Sequence, residues 1–185
     1  MTIKTIAIGV ISCINKIRFR LHGGVIRIGL RTRIINPSKL NIQGNIRIFN
    51  DCILNPHGNG KITLKNGCEI HEYSNLSANH YIEIGENVLL APNVYISDHN
   101  HAYENIELPI SFQGQRESNA SVIIGDESWI AKNVVIVGNV TIGKHCVIGA
   151  NSVVTKDIPD YCVAIGAPAK IIKRYDFKTG QWVKN

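Results

Sequence analysis

The stretch VIIGDESWIAKNVVIVGNVTIGKHCVIGANSVV, residues 122–154, places a branched aliphatic residue at every sixth position: Ile124, Ile130, Ile136, Ile142, Ile148 and Val154. Glycine or alanine follows at Gly125, Ala131, Gly143 and Gly149. A small or branched residue stands two before each, in Val122, Ser128, Val134, Val140, Cys146 and Ser152. Neither the helical period nor the strand period produces such a beat. Self-similarity at a short fixed period marks a solenoid, and its hexad form marks a parallel β-helix. Each hexad supplies one flat side of a triangular coil, so about 18 residues close a turn, and turns stack about 4.8 Å apart. The aliphatic residue points into the prism, and Gly or Ala eases the corner beside it.

Upstream, the same beat runs through Leu64, Ile70 and Leu76, then, after two extra residues, through Ile84, Leu90 and Ile96. A fainter version passes Ile28, Ile34, Leu40, Ile46 and Cys52. A narrow aliphatic column needs few aromatic residues, and only 6% of the 185 residues are Phe, Trp or Tyr. One domain is expected: a cap over residues 1–22, the β-helix over 23–168, and a basic tail over 169–185.

The formal net charge of +6 suits an anionic ligand or surface. Arg18, Arg20, Arg27, Arg31 and Arg33 lie towards one end of the chain, and Lys170, Lys173, Arg174 and Lys178 towards the other. Nucleic acid is not the expected partner, because zinc-finger spacing, an RNA-recognition signature and an aromatic-interleaved basic stripe are all missing. Cys13, Cys52, Cys68, Cys146 and Cys162 form no C-x-x-C pair. Cys52, Cys68 and Cys146 fall at or beside inward phases, where a thiol serves as a small hydrophobe. A cytoplasmic location fits this usage. Residues 1–14 are mostly apolar and are followed by Lys16, Arg18 and Arg20. The run is shorter than the roughly 20 residues that span a bilayer, and its charges follow the apolar run, unlike those of a signal peptide. It reads either as a helix covering the open strand edges of the prism or as a weak peripheral membrane anchor.

Between Ile96 and Ile124 the chain advances 28 residues where the hexad needs six, an excursion of about 22 over residues 97–121. Long loops on rigid scaffolds are where function concentrates. His99 and His101 are two apart on a segment leaving a strand, so both can face one side, and Asp98 and Glu117 are candidate carboxylate partners. A histidine removes a proton near neutral pH when a carboxylate or carbonyl fixes its other nitrogen. An Asp-His-Asn-His run can also simply organise a turn. Its position, at the one large break in a regular solenoid, favours the catalytic reading.

Together these marks resemble the hexapeptide-repeat acyltransferases, and among them the branch of maltose and galactoside acetyltransferases and enzymes that decorate bacterial surface polysaccharides. The resemblance covers roughly residues 60–175 and rests on four runs. They are Val94-Tyr95-Ile96-Ser97-Asp98-His99-Asn100-His101, Ile124-Gly125-Asp126-Glu127-Ser128-Trp129-Ile130, the segment from Val147 to Pro159, and Gly166-Ala167-Pro168-Ala169-Lys170. It implies an all-β solenoid, a left-handed parallel β-helix with a long loop excursion and short helical or irregular terminal caps.

The same resemblance implies an O-acetyltransferase with acetyl-CoA as co-substrate and no metal. The acceptor would be a sugar or oligosaccharide of a capsule, O-antigen or exopolysaccharide, or its precursor. The base falls on His101, with His99 in support or touching the acceptor. Donor-site positions map to Trp129, Lys132, Ala150, Thr155, Lys156, Lys170 and Lys173. The acceptor side maps near His71, Tyr73 and Asn75, with His71 where galactoside-type enzymes carry asparagine. A homotrimer with sites between subunits is implied as well. Two other readings stay open: a noncatalytic β-helix scaffold, and a zinc-dependent, carbonic-anhydrase-like hydrolase using His99 and His101 as ligands.

Overall fold

The computed structural model describes residues 24–116 and 119–185. The expected N-terminal cap, Cys13 and Glu117 lie outside these residues. The first coil comprises β1 (Ile26–Ile28), β2 (Arg33–Ile34) and β3 (Leu40–Ile42). The second comprises β4 (Ile46–Ile48), β5 (Ile53–Pro56) and β6 (Lys61–Leu64), and the third β7 (Glu69–Ile70), β8 (Asn75–Ala78) and β9 (Tyr81–Ile84). The fourth is interrupted: β10 (Leu89–Leu90) and β11 (Tyr95–Ser97) precede the excursion, and β12 (Ser121–Ile124) follows it. Above it lie β13 (Trp129–Ile130), β14 (Val135–Val137) and β15 (Val140–Ile142), then β16 (Val147–Ile148) and β17 (Val153–Val154), and finally β18 (Cys162–Ile165).

Strands in equivalent positions pair in parallel, giving three sheets along three sides of a prism. The first sheet runs β1-β4-β7-β10-β13-β16-β18, the second β2-β5-β8-β11-β14-β17, and the third β3-β6-β9-β12-β15. Register measures the coils. Trp129 pairs with Val147 and Val135 with Val153, a rise of 18 residues per turn. Leu89 pairs with Trp129, a step of 40 that exceeds one regular coil by 22, so the stacking continues through the excursion without slipping.

The inward column is fully buried at Ile124, Ile130, Ile136, Ile142, Ile148 and Val154. Burying a branched aliphatic side chain stabilises a fold by about 1.5–3 kcal/mol, so this column is the main driving force for stacking. The lower coils depart from the ideal hexad. Ile26 pairs with Ile46 at a step of 20, and Arg47 with Glu69 at 22. The additional residues sit at corners, in a 3₁₀ turn at Pro37–Lys39 and a turn closed by the Gly60 amide on the His57 carbonyl. This explains the fainter N-terminal beat: Ile28 and Ile34 are only half-buried, while Ile26, Ile42 and Ile48 fill the core.

Corners need φ > 0, and the chain stacks such residues in a line: Arg31, Asp51, Tyr73, Asn93, Asn133 and Asn151. Asparagine tolerates this conformation better than most residues. Here it also forms a ladder, with Asn93 Nδ2 donating to Asn133 Oδ1 at 2.9 Å and Asn133 Nδ2 to Asn151 Oδ1 at 3.0 Å.

The segment expected as a basic tail is an antiparallel hairpin, β19 (Lys170–Asp176) and β20 (Gln181–Lys184), which extends the first sheet beyond β18. Its charges obscured a strand in which Ile171 packs against the core while Lys170 and Lys173 are exposed. Tyr161, Tyr175, Phe177 and Trp182 clamp it in a chain of edge-on and tilted ring contacts. Antiparallel pairing ends the stack of parallel coils, and β20 becomes the edge strand of the first sheet.

Candidate functional site

The excursion leaves the corner between the second and third sheets, and its base is zipped shut. His101 and Gln115 form an antiparallel bridge, the Ala102 amide donates to the Gly114 carbonyl at 3.1 Å, and the Arg116 amide donates to the Asn100 carbonyl at 2.9 Å. Further out lies one short helix, α1 (Ile110–Gln113). The Gln113 amide holds that tip by donating to the carbonyls of Asn105 and Leu108.

His101 is exposed, and its Nδ1 lies 3.3 Å from the Gly114 carbonyl oxygen. A carbonyl only accepts, so this contact places the ring proton on Nδ1 and leaves the Nε2 lone pair facing solvent. That is the tautomer of a general base.

Of the two histidines, Asp98 partners His99 and not His101, and it also anchors the backbone. Its side chain is completely buried, and it accepts from the amides of Asn79 (2.7 Å), His80 (2.8 Å) and Tyr81 (2.7 Å), pinning the start of the excursion to the coil beneath. Its remaining contact is with His99 Nδ1, at 3.0 Å. His99 also meets Ser97 Oγ at 3.2 Å and packs edge-on against His57, with centroids 4.6 Å apart. His57 in turn lies 3.4 Å from Ser77 Oγ. Burial, reinforced by His99, lowers the His57 pKa and so disfavours the charged ring. His57 carried no motif in the sequence; only the coil register brings it to His99. The ring of His80 reaches the far end of the excursion, 3.2 Å from the Ala120 carbonyl.

His71 and Tyr73 lie at the corner between the first and second sheets, and Asn75 begins β8 on the second. The rings of His71 and Phe49 stack 4.1 Å apart at positions where the coils above carry Ala91 and Ala131. His71 Nε2 is buried without a hydrogen bond, with Glu69 Oε2 3.5 Å away; Asn75 Oδ1 is buried without a hydrogen-bond partner, and Tyr73 is 64% exposed.

The expected donor residues all reach the surface of the upper coils but not a single face. Trp129 and Lys173 belong to the outer side of the first sheet, where an apolar cleft of about 410 Å³ is lined by Trp129, Val147, Val163, Ile172, Lys173 and Trp182. Lys132 and Ala150 share one corner, each preceding an asparagine of the ladder. Thr155 and Lys156 follow β17 at the next corner. Among the described residues no three His, Cys, Asp or Glu side chains converge as metal ligands.

Comparison with known proteins places these features. The family model described as bacterial transferase hexapeptide (six repeats) matches residues 121–156. WbbJ from Escherichia coli (strain K12), named as a lipopolysaccharide-biosynthesis O-acetyl transferase, is 32% identical over 156 residues, which is 82% of this chain and 80% of that protein. The galactoside O-acetyltransferase of the same organism is 40% identical over 115 residues, 58% of this chain and about half (55%) of that protein. Among solved structures, AntD from Bacillus cereus, an N-acyltransferase in complex with dTDP and 3-hydroxybutyryl-CoA, superposes with a TM-score of 0.75 at 25% identity, covering 90% of this chain and 88% of that one.

Proposed function

Because this chain belongs to the hexapeptide-repeat acyltransferase family, we propose that it transfers an acetyl group from acetyl-CoA to a sugar hydroxyl of a bacterial surface glycan or its precursor, with His101 as general base. The observation that carries this reading is the 3.3 Å contact between His101 Nδ1 and the Gly114 carbonyl, which leaves Nε2 free at the mouth of the excursion. His101 Nε2 takes the hydroxyl proton as the sugar oxygen forms its bond to the thioester carbonyl carbon. As the tetrahedral adduct collapses, the carbon–sulfur bond breaks and the proton passes from Nε2 to the departing thiolate. No enzyme nucleophile is required. Base catalysis of this kind contributes about 10²–10⁴ in rate, and alignment of the two substrates adds to it.

The site lies between copies of the chain in a homotrimer. Two observations support this assembly. The donor-site residues divide between faces of the prism that diverge within one chain, so a shared ligand needs faces from two copies. The excursion also bares apolar side chains, with Ile106 91% and Phe112 78% exposed, which a neighbouring copy would cover. Acetyl-CoA fits the upper coils: exposed lysines 132, 156, 170 and 173 suit its phosphates, and the apolar cleft beside Trp129 suits its pantetheine arm.

Incubation with acetyl-CoA and a panel of surface-type oligosaccharides tests the reading by mass spectrometry. Gain of one acetyl group on a glycan, absent with His101→Ala, is the expected result. Release of CoA without glycan acetylation, or equal acetylation by the variant, would refute it.

A further inference from the structure

The outer side of the first sheet changes character along the stack. In register, upper positions carry Leu89, Trp129, Val147 and Val163, whereas lower ones carry Arg27, Arg47 and Glu69. Around the lower residues is a second cavity, about 300 Å³, lined by Val25, Arg27, Asn45, Arg47, Gly67 and Glu69. Like charges directly opposite on neighbouring strands destabilise a sheet, yet Arg27 and Arg47 are such a pair. Glu69 compensates only one of them. It meets Arg47 Nη1 at 2.9 Å and shares its other oxygen with His71 at 3.5 Å. Among the described residues Arg27 has no carboxylate partner. Among the described residues the cavity therefore presents one guanidinium without a counter-charge, beside a second that is braced by Glu69 and lies 6.0 Å over the Phe49 ring.

We propose that this cavity is an anion subsite for the phosphate or diphosphate of an activated sugar acceptor, so that the acceptor is a phosphate-linked precursor. The inference rests on the acetyltransferase reading above. Guanidinium groups pair with phosphate oxygens through parallel N–H donors, which suits them to this task. Height along the prism decides which substrate the subsite serves. Arg47 lies three strand spacings, about 14 Å, below Trp129 and the expected donor positions. It lies two spacings, about 10 Å, below the coil that bears His101. Copies packed side by side in a trimer share these heights, so along the prism axis the cavity lies on the opposite side of the His101 level from the donor positions, the side left for the acceptor. His71 sits between the two levels, its Nε2 3.5 Å from Glu69 Oε2.

The test is calorimetric titration of the full chain with inorganic pyrophosphate, a nucleotide-diphosphate sugar, a short polyprenyl-diphosphate sugar in detergent, and the corresponding free sugar. Arg27→Gln and Arg27→Lys are compared with the parent after their melting curves are matched. The phosphorylated probes are expected to bind with a shared dependence on Arg27. Arg27→Gln weakens them at least about tenfold, Arg27→Lys weakens them less, and affinity for the free sugar is unchanged. Preference between the nucleotide and polyprenyl probes identifies the source of the phosphate. Pyrophosphate that fails to bind, binds equally to Arg27→Gln, or is displaced competitively by CoA would overturn the assignment. The binding readout is independent of transfer. Arg27-dependent pyrophosphate binding without acetylation keeps the subsite and removes the acetyltransferase reading, and the converse removes the subsite alone.

Discussion

Gly114 holds the tautomer of His101: its carbonyl oxygen lies 3.3 Å from Nδ1 and also accepts the Ala102 amide at 3.1 Å. The backbone at Gly114 has φ 74° and ψ −152°, a region open to glycine and costly for other residues. No atom lies within 4 Å of where a Cβ would stand, so conformation and not space requires the glycine. Gly114→Ala is therefore expected to turn the carbonyl away and lower kcat about tenfold or more while acetyl-CoA affinity holds. Steady-state kinetics beside equilibrium CoA binding checks this; a fall in CoA affinity alone would point elsewhere.

Asp98 anchors the excursion by geometry as well as charge. Oδ1 accepts the Asn79 amide, and Oδ2 accepts those of His80 and Tyr81. In Asp98→Asn one oxygen becomes an NH₂ that can only face another donor. A loss of roughly 2–4 kcal/mol follows, nearly as large as for Asp98→Ala. Urea unfolding measures it, and an asparagine variant as stable as the parent would show that the three amides do not depend on this carboxylate.

The asparagine ladder makes a separate prediction about the corner line. Asn133 has φ 61° and bonds to Asn93 and Asn151. Asn133→Ala keeps the strained conformation and loses both bonds, costing about 1–2 kcal/mol or more. Asn133→Gly relieves the strain and is expected to lose less. The order of the two melting temperatures decides the matter.

Thiol chemistry reports on the core. Burial pushes the thiols of Cys52 and Cys146 up to about 11 and that of Cys68 up to about 12. The folded chain is then expected to protect these three from iodoacetamide at pH 8, and denaturant to expose them. Mass mapping of alkylated peptides gives the answer, and rapid native labelling at Cys68 would contradict the packed column.

His57 sets a pH dependence whose sign follows from its lowered pKa. The unfolded ring protonates near its ordinary value of 6.5 while the folded ring resists, so the unfolded state binds more protons as pH falls. The stability associated with neutral His57 is present above that value and lost below it, as the pH drops through the folded pKa. His57→Asn is expected to flatten the change in unfolding free energy between pH 7.5 and 5. An unchanged slope would show that the folded ring charges as readily as the unfolded one.

The hexad from Ile124 to Val154 made the prism legible because each inward residue repeats one physical demand, and the size of the excursion followed from the same count. Corners were not legible in this way, since φ > 0 falls on Arg31, Asp51, Tyr73, Glu127 and Tyr161 as well as on asparagines. His101 was singled out by the family resemblance of the Val94–His101 run, while its backbone partner had no signal in the sequence. Gly114 is 13 residues away and contributes a carbonyl, which carries no side-chain signature. The roles of Asp98 and His57 depend on contacts between residues 17–42 apart, visible only once the lower coils take their steps of 20 and 22. The hairpin was hidden by its lysines.

The most direct test of the central claim is the rate of CoA thiol release in the presence of an acetylatable glycan, measured for the parent and for His101→Ala with matched melting curves. The account predicts a fall of about 10²–10⁴ in kcat with acetyl-CoA binding preserved. A variant that turns over at the parent's rate would contradict it.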